Sequence, residues 1–207
     1  AHHPGGPAMT ADTKRLLLWI DCETTGFNER AGSLLEVGLI LTGWDLEEVA
    51  SWSRTVAFWG PVDDEIARMH GPTGSGLLTP DPDGARWYTG GASVLTSTPV
   101  VVAESAAEWI REQVGGFTAP IWGGRNTHFD RRWLREHMSA LDDVVLHRSF
   151  DETTARLALE AWGGVRLPKD PAGGTRHRAL DDLRQSLAVA RRLRSFVLRA
   201  RAAGIEP

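Results

Sequence analysis

Cysteine is almost absent from the 207-residue chain, which contains Cys22 alone. This excludes an intramolecular disulfide framework, and a lone thiol is typical of a reducing compartment, so we expect a cytoplasmic protein. Long apolar runs are missing as well. No uninterrupted run approaches the ~20 residues that span a bilayer, which predicts a soluble protein without a membrane partner.

A strong charge of either sign is also missing. The 23 Lys and Arg residues against 27 Asp and Glu residues give a formal net charge of -4. This balance excludes the strongly basic field of a protein that clamps long duplex nucleic acid, whereas short substrates and local basic patches stay compatible with it. With 42% hydrophobic residues, the chain as a whole has the composition of a globular protein and not that of a disordered one.

The length predicts one domain. We expect residues 1–13 to be an expression remnant and a disordered N-terminus, because "AHHPGGPAMT" places two histidines before a methionine. Residues 14–207 then form a single domain with a loop-rich insertion around 71–99, where Gly, Pro, Ser and Thr are frequent. An irregular segment of this length is typical of a functional flap or of a disordered insertion.

The hydrophobic pattern predicts an α/β fold with helices on a central mixed sheet. The apolar runs predict a meander of three antiparallel strands near 16–21, 34–42 and 49–58, and a further short strand over 119–124. Helical spacing is found over 104–114, 130–138 and 153–162, and most clearly over 180–197.

Two acids end the first apolar run, "LLLWIDCETTG". Alternate side chains of a strand point to one face, so Asp21 and Glu23 emerge together at the carboxyl end, where α/β sheets bind ligands. Like charges held close repel unless a cation lies between them, and Mg²⁺ prefers such oxygen ligands. For an isolated pair, a solvated turn without function is the commoner explanation.

Three further candidates follow strand-like segments: Asp130 in "NTHFDRRWL", and His177 and Asp182 in "HRALDD". Each has a structural explanation when taken singly. Asp130 can cap a helix, and Asp182 can favour a helix N-terminus or pair with Arg178 four residues before it.

In this order the three segments resemble the DEDDh family of 3'-to-5' exonucleases, and within it the chain is most similar to oligoribonuclease. The likeness runs from Leu16 to Val197 and includes "HGPTGSGL", "SFDETT" and "HRALDDLRQS". It implies a ribonuclease H-like fold, hydrolysis of short single-stranded RNA, with DNA as a possible substrate, to 5'-nucleoside monophosphates, and a homodimer.

The resemblance also implies the site. Two divalent cations, Mg²⁺ or Mn²⁺, would be bridged by Asp21, with Glu23 and Asp182 helping to hold one of them and Asp130 supporting the site directly or through water. His177 would be the general base. For substrate binding the candidates are Thr25, Phe27, His70 and Asn126, with Phe27 either stacking on a base or covering the turn.

The chain departs from the family pattern at three places. Glu65 stands where oligoribonucleases have a tryptophan that stacks on the substrate, and Trp59 or Trp87 are possible substitutes. His147 replaces a tyrosine that the partner subunit contributes, and residues 84–98 form a longer segment than usual. These departures favour an alternative, in which a DEDDh exonuclease trims longer single-stranded DNA or RNA 3' ends. A third reading, a nucleic-acid-binding scaffold without catalysis, conflicts with the presence of all five catalytic residues.

Overall fold

The computed structural model describes residues 16–91, 96–115, 118–167 and 176–204. The predicted remnant at 1–13 lies outside these residues. The strands are β1 (Leu17–Thr24), β2 (Leu34–Thr42), β3 (Glu48–Thr55), β4 (Trp59–Gly60), β5 (Leu78–Pro80), β6 (Trp87–Thr89), β7 (Ile121–Gly124) and β8 (Leu146–Asp151). The helices are α1 (Asp64–His70), α2 (Pro99–Val114), α3 (Thr127–His137), α4 (Ser139–Asp142), α5 (Glu152–Gly163) and α6 (Ala179–Ala202).

The main sheet is mixed and has the strand order β3-β2-β1-β7-β8. β1 pairs antiparallel with β2, which pairs antiparallel with β3, so the predicted meander is confirmed. On its other side β1 runs parallel to β7, and β7 runs parallel to β8. The carboxyl ends of these three parallel strands therefore meet at one edge of the sheet.

Alternation along β1 sends its side chains into two cores. Leu18, Ile20 and Cys22 pack in a cluster that includes residues of α2, α3 and α4. Leu17 and Trp19 pack with α6 through Leu183 and Leu187, among others. Asp21 and Glu23 continue the second face by the same period of two, so they emerge on the side where α6 begins.

The segment 71–99, predicted to be mainly loop, contains more regular structure than expected. β5 and β6 join β4 in a small antiparallel sheet of order β4-β6-β5, and α2 already starts at Pro99. Leu78 and Trp87 pack with Ile66 of α1, and burial of these side chains stabilises strands too short for a clear sequence pattern. Residues 92–95 lie outside the described part.

Besides the small sheet, three elements were not predicted from the sequence: α1, α4 and β8. Each is short, and none has a continuous apolar face, because α1 buries Ile66 and His70 alone, α4 buries Leu141 alone and β8 buries none of its side chains fully. Among the described residues, no helix is both long and apolar enough to cross a membrane.

Candidate active site

Three carboxylates converge where β1 ends and α6 begins. One oxygen each of Asp21, Glu23 and Asp182 lies within 4.8 Å of the other two. Glu23 is buried, and Asp21 and Asp182 are partly buried. The structure thus brings together two of the three predicted acidic motifs at the edge of the sheet where the parallel strands have their carboxyl ends.

The start of α6 is fixed by a buried acid of the neighbouring strand. Glu36 of β2 accepts a hydrogen bond from the backbone N–H of Ala179 at 3.0 Å and from Arg178 Nη2 at 2.7 Å. Gly38 permits close approach, because a Cβ there would lie 2.7 Å from the Cβ of Ala179. Asp182 is one turn further on, and its carboxylate accepts a hydrogen bond from the backbone N–H of Arg176 at 3.3 Å.

Asp130 lines a cavity with Asp21 and Asp182 but is not one of the three converging acids; it connects two elements of the site. It is 3% exposed on α3, and its Oδ1 accepts a hydrogen bond from the backbone N–H of Cys22 at 3.0 Å. This hydrogen bond therefore connects α3 to β1 at Cys22, the residue between Asp21 and Glu23. Asn126 precedes α3 in the left-handed conformation with φ 53°, and Thr127 donates its backbone N–H to Asp151 at 2.8 Å, which fixes the start of the helix.

Burial and mutual repulsion raise the pKa of the carboxylates. Burial first, and then Asp182, raise the pKa of Asp21 to about 7. Burial first, and then Asp21, raise the pKa of Glu23 to about 9. Burial also raises the pKa of Asp182 and of Asp130. A hard divalent cation would remove this conflict, since all of these groups offer oxygen ligands.

Two histidines border the acids. The rings of His70 and His177 are 5.9 Å apart at 81°, and His177 has a left-handed backbone with φ 51°. Burial first, and then the nearby His177, lower the pKa of His70 to about 4. His70 is thus neutral at neutral pH, and the 3.7 Å between its Nε2 and Glu23 Oε2 is a contact rather than an ion pair.

The predicted substrate residues line two cavities beside the acids. A cavity of about 360 Å³ is bordered by Asp21, Asp182, Asn126 and Phe27, and a second of about 190 Å³ by Glu23, His70 and again Phe27. Phe27 is 83% exposed, which favours contact with a base over the covering of the turn. Thr25 instead closes the turn, since its Oγ1 accepts from the backbone N–H of Ser33 at 2.8 Å.

The structure adds a residue that the sequence analysis missed. Arg125 follows β7 directly and lines the larger cavity together with Asp21 and Asp182. Its Nε donates to Glu152, the first residue of α5, at 3.4 Å. A basic residue at the carboxyl end of a strand parallel to β1 was the available signal, but it required knowing that β7 pairs with β1.

Of the positions that depart from the family pattern, only Glu65 lines a cavity of this site among the described residues. Glu65 lines the smaller cavity and is 4.0 Å from Arg68. Trp59 is 63% exposed on the small sheet, with the guanidinium of Arg86 4.3 Å from its ring centre, whereas Trp87 packs against the α1 cluster. His147 is exposed on β8.

Comparison with known proteins gives relatives along nearly the whole chain. The sequence is 32% identical over 205 residues to an oligoribonuclease of Aeromonas hydrophila, covering 92% of this chain and 99% of the relative. It is 26% identical to an oligoribonuclease of Arabidopsis thaliana, with 95% and 84% covered, and 30% identical to one of Francisella tularensis, with 88% and 96% covered. No protein-family model matches the chain.

Solved structures of exonuclease I share the fold. One from Methylocaldum szegediense has a TM-score of 0.61 at 18% identity, and E. coli exonuclease I with a dT13 oligonucleotide has 0.61 at 13%. The chain spans 40% and 44% of these two larger proteins. The likeness confirms the predicted α/β, ribonuclease H-like exonuclease fold.

Proposed function

The chain belongs to the oligoribonuclease family, and we propose that it is a 3'-to-5' exoribonuclease that hydrolyses short single-stranded oligoribonucleotides to 5'-nucleoside monophosphates. One observation carries this proposal. Acids from separate parts of the chain, Asp21, Glu23 and Asp182, bring their oxygens within 4.8 Å of one another beside a cavity of about 360 Å³. Such a cluster is costly for the fold without a cation, so a metal-dependent function accounts for it.

We assign the cations to the carboxylates. Asp21, Glu23 and Asp182 would hold them, and Asp130, which is linked to β1 through Cys22, would support the site. The oxygen-only ligands fit Mg²⁺ or Mn²⁺. When two such ions are bound, they would activate water for attack and stabilise the leaving oxygen of an in-line displacement.

The side chains around the acids supply the remaining roles. His177 would take the proton of the attacking water, because an imidazole can accept a proton at neutral pH. His70, which is buried and neutral, would contact the substrate with Asn126 and the turn around Thr25. Phe27 would stack on a base, a contact worth about 1 to 3 kcal/mol.

A second candidate function is trimming of longer single-stranded DNA or RNA 3' ends. The acid Glu65 in the smaller cavity favours it, because a carboxylate can neither stack on a base nor attract a phosphate. The exposed ring of Trp59, with Arg86 beside it, offers a surface on which further bases of a longer strand could stack.

The decisive experiment measures hydrolysis of a 5'-labelled RNA dinucleotide, a longer RNA and a longer DNA, each with Mn²⁺ or with EDTA. We expect metal-dependent cleavage of the dinucleotide to mononucleotides. Stepwise shortening of only the longer strands would establish the second candidate instead. If no substrate were cleaved with metal present, a binding or scaffold role would replace both.

The first variant to test is Asp182→Asn, which keeps the size of the side chain and removes a charged metal ligand. We expect loss of turnover with an unchanged far-UV circular dichroism spectrum. Asp181→Asn is the matched control, because Asp181 precedes Asp182 on the same helix and is not among the three converging acids. Full activity of Asp182→Asn would contradict the proposed metal site.

Two further predictions go with this function, a homodimer and a cytoplasmic location. For the dimer, an apolar groove between α5 and α6 is a candidate contact surface, bordered by Trp44, Phe150, Val197 and Leu198. Light scattering during size-exclusion chromatography would measure the mass of the particle in solution.

A further inference from the structure

We propose that Arg125 binds the phosphate of the substrate, and after hydrolysis the phosphate of the mononucleotide product, and that buried Glu152 positions it for this role. The inference rests on the proposed function and deepens it, because it names the residue that recognises the reacting anion. Neither the resemblance nor the metal ligands required a cation at this position.

The first step concerns place. Arg125 is the residue after β7, and β7 runs parallel to β1, so the carboxyl ends of both strands lie at the same edge of the sheet. The Arg125 side chain lines the same cavity as Asp21 and Asp182. A phosphodiester that enters this cavity to reach those carboxylates would therefore meet Arg125.

The second step concerns orientation. Arg125 Nε is 3.4 Å from Glu152 Oε2, and the two side chains are 16% and 1% exposed. The other carboxylate oxygen, Oε1, accepts no hydrogen bond within the described chain and lies 3.9 Å from Arg156 Nε. Arg156 in turn contacts Glu160 at 3.5 Å. Glu152, a buried acid between two arginines, thus fixes the orientation of the Arg125 side chain.

The third step concerns charge. The cavity is lined by Asp21, Asp130 and Asp182, which repel an approaching phosphate. A guanidinium matches the geometry of phosphate oxygens and cannot lose its charge near neutral pH. Arg125 is therefore suited to offset the repulsion.

A merely structural role makes a different prediction. If Arg125 only balanced the charge of the acids or fixed α5, its replacement would change the melting temperature or the affinity for metal. With Mg²⁺ saturating for every variant, so that the metal sites are equally filled, such a replacement would not discriminate between a ligand with a phosphate and the same ligand without one. The comparison of 5'-AMP with adenosine separates the two roles.

The experiment measures equilibrium binding of 5'-AMP and of adenosine by titration calorimetry in the presence of Mg²⁺. The full chain is compared with Arg125→Gln, Arg125→Lys and Glu152→Gln. We expect Arg125→Gln to weaken 5'-AMP binding by about tenfold or more, the loss of one charge-assisted hydrogen bond, and to leave adenosine binding unchanged. Arg125→Lys should fall between the two, because it keeps the charge but not the planar fork.

Arg135→Gln is the matched control, since Arg135 also pairs with an acid through its Nε, at 3.0 Å from Asp142, but does not line the cavity. It should bind 5'-AMP as the unmodified chain does. Equal affinity of Arg125→Gln and the unmodified chain for 5'-AMP would overturn the inference while RNA hydrolysis by the unmodified chain upholds the proposed function. An unmodified chain that neither hydrolyses RNA nor binds 5'-AMP would overturn both.

Where Arg125→Gln fails to fold, as judged by thermal melting, Glu152→Gln and Arg125→Lys decide. Both should weaken 5'-AMP binding and leave adenosine binding unchanged. Unchanged 5'-AMP binding in both of these folded variants would overturn the inference.

Discussion

At Asp21, Glu23 and Asp182 the fold holds carboxylates closer together than their charges favour. Burial and repulsion raise the pKa of Asp21 to about 7 and that of Glu23 to about 9. In the metal-free protein these groups therefore keep protons that the unfolded chain has already released. A bound divalent cation would relieve this repulsion, and the arrangement has measurable consequences for stability.

For Glu23 the sign of the pH effect follows from this difference. Its pKa rises from the ordinary 4.5 to about 9, so the folded state binds more protons between these values, and stability falls as the pH rises through that window. Glu23→Gln has no such group. In EDTA we expect the variant to gain melting temperature relative to the unmodified chain between about pH 5 and pH 8.

Added Mg²⁺ tests whether a bound cation relieves the repulsion that raises the pKa of Glu23. It should stabilise the unmodified chain at the higher pH and act less on Glu23→Gln, which has lost one charged ligand. Parallel melting curves of the two proteins across the pH range in EDTA would contradict the raised pKa of Glu23.

His177 gives a prediction about the reaction. As the proposed general base, it should contribute about 10²- to 10⁴-fold to kcat, so His177→Gln should lose that factor in hydrolysis of an RNA dinucleotide. His137→Gln is the control, because His137 contacts the backbone oxygen of Glu29 and stacks on Trp133. A kcat of His177→Gln within a factor of two of the control would remove His177 from the mechanism.

At the scale of the element, the position of α6 decides whether the site forms. Asp182 reaches the acids of β1 because Glu36 binds the first residues of α6 and because Gly38 lets the helix approach β2 closely. Arg178, at 45% side-chain exposure, adds a partly solvated ion pair with Glu36. The placement of α6 and the approach of Asp182 to the acids of β1 are therefore linked through β2.

Gly38→Ala tests this link. The added Cβ would lie 2.7 Å from the Cβ of Ala179 and 3.0 Å from its backbone carbon, so the start of α6 must shift. We expect a loss of about 1 to 3 kcal/mol in the free energy of unfolding, as for other overpacked sites, together with reduced kcat. Urea unfolding and dinucleotide hydrolysis measure the two effects.

Gly90→Ala is the matched control for this substitution. The Cβ added there would meet Thr79 Oγ1 at 3.8 Å, an ordinary contact. It should leave kcat unchanged. Equal activity of Gly38→Ala and Gly90→Ala would show that the close approach of α6 does not determine the geometry of the acids.

At the scale of the whole molecule, the net charge of -4 does not provide a broad basic surface that would attract the substrate. We therefore expect the substrate to be held by contacts within the site. A dinucleotide engages few phosphates, and each engaged phosphate contributes a slope of about -0.7 to log K against log salt for single strands. We therefore expect kcat/KM on a dinucleotide to fall only weakly with NaCl at fixed Mg²⁺.

A longer oligomer provides the comparison. If its kcat/KM fell with a slope steeper than about -3, at least four phosphates would be engaged, which indicates an extended binding surface and favours the second candidate function. Similar weak slopes for both substrates would support the short-substrate function.

The sequence alone predicted the antiparallel meander, the long C-terminal helix and the acids that converge, since each depends on local periodicity or on a motif. It did not predict α1, β8 or the small sheet, because their stability comes from contacts with distant residues, such as Leu78 and Trp87 with Ile66. The same limit hid Arg125, whose role depends on the pairing of β7 with β1.

The sequence by itself determined which groups are available for chemistry: the carboxylates, the histidine and the aromatic ring of Phe27, whose exposure only the structure showed. Only the tertiary structure decided which of them act together. It brought Asp182 to Asp21 and Glu23 within 4.8 Å, linked Asp130 to the backbone of Cys22, and set Arg125 in the cavity with Glu152 behind it. The physical reason is that charge and hydrogen bonding act over a few ångströms, and distances of that size between remote residues are set by helix and sheet packing.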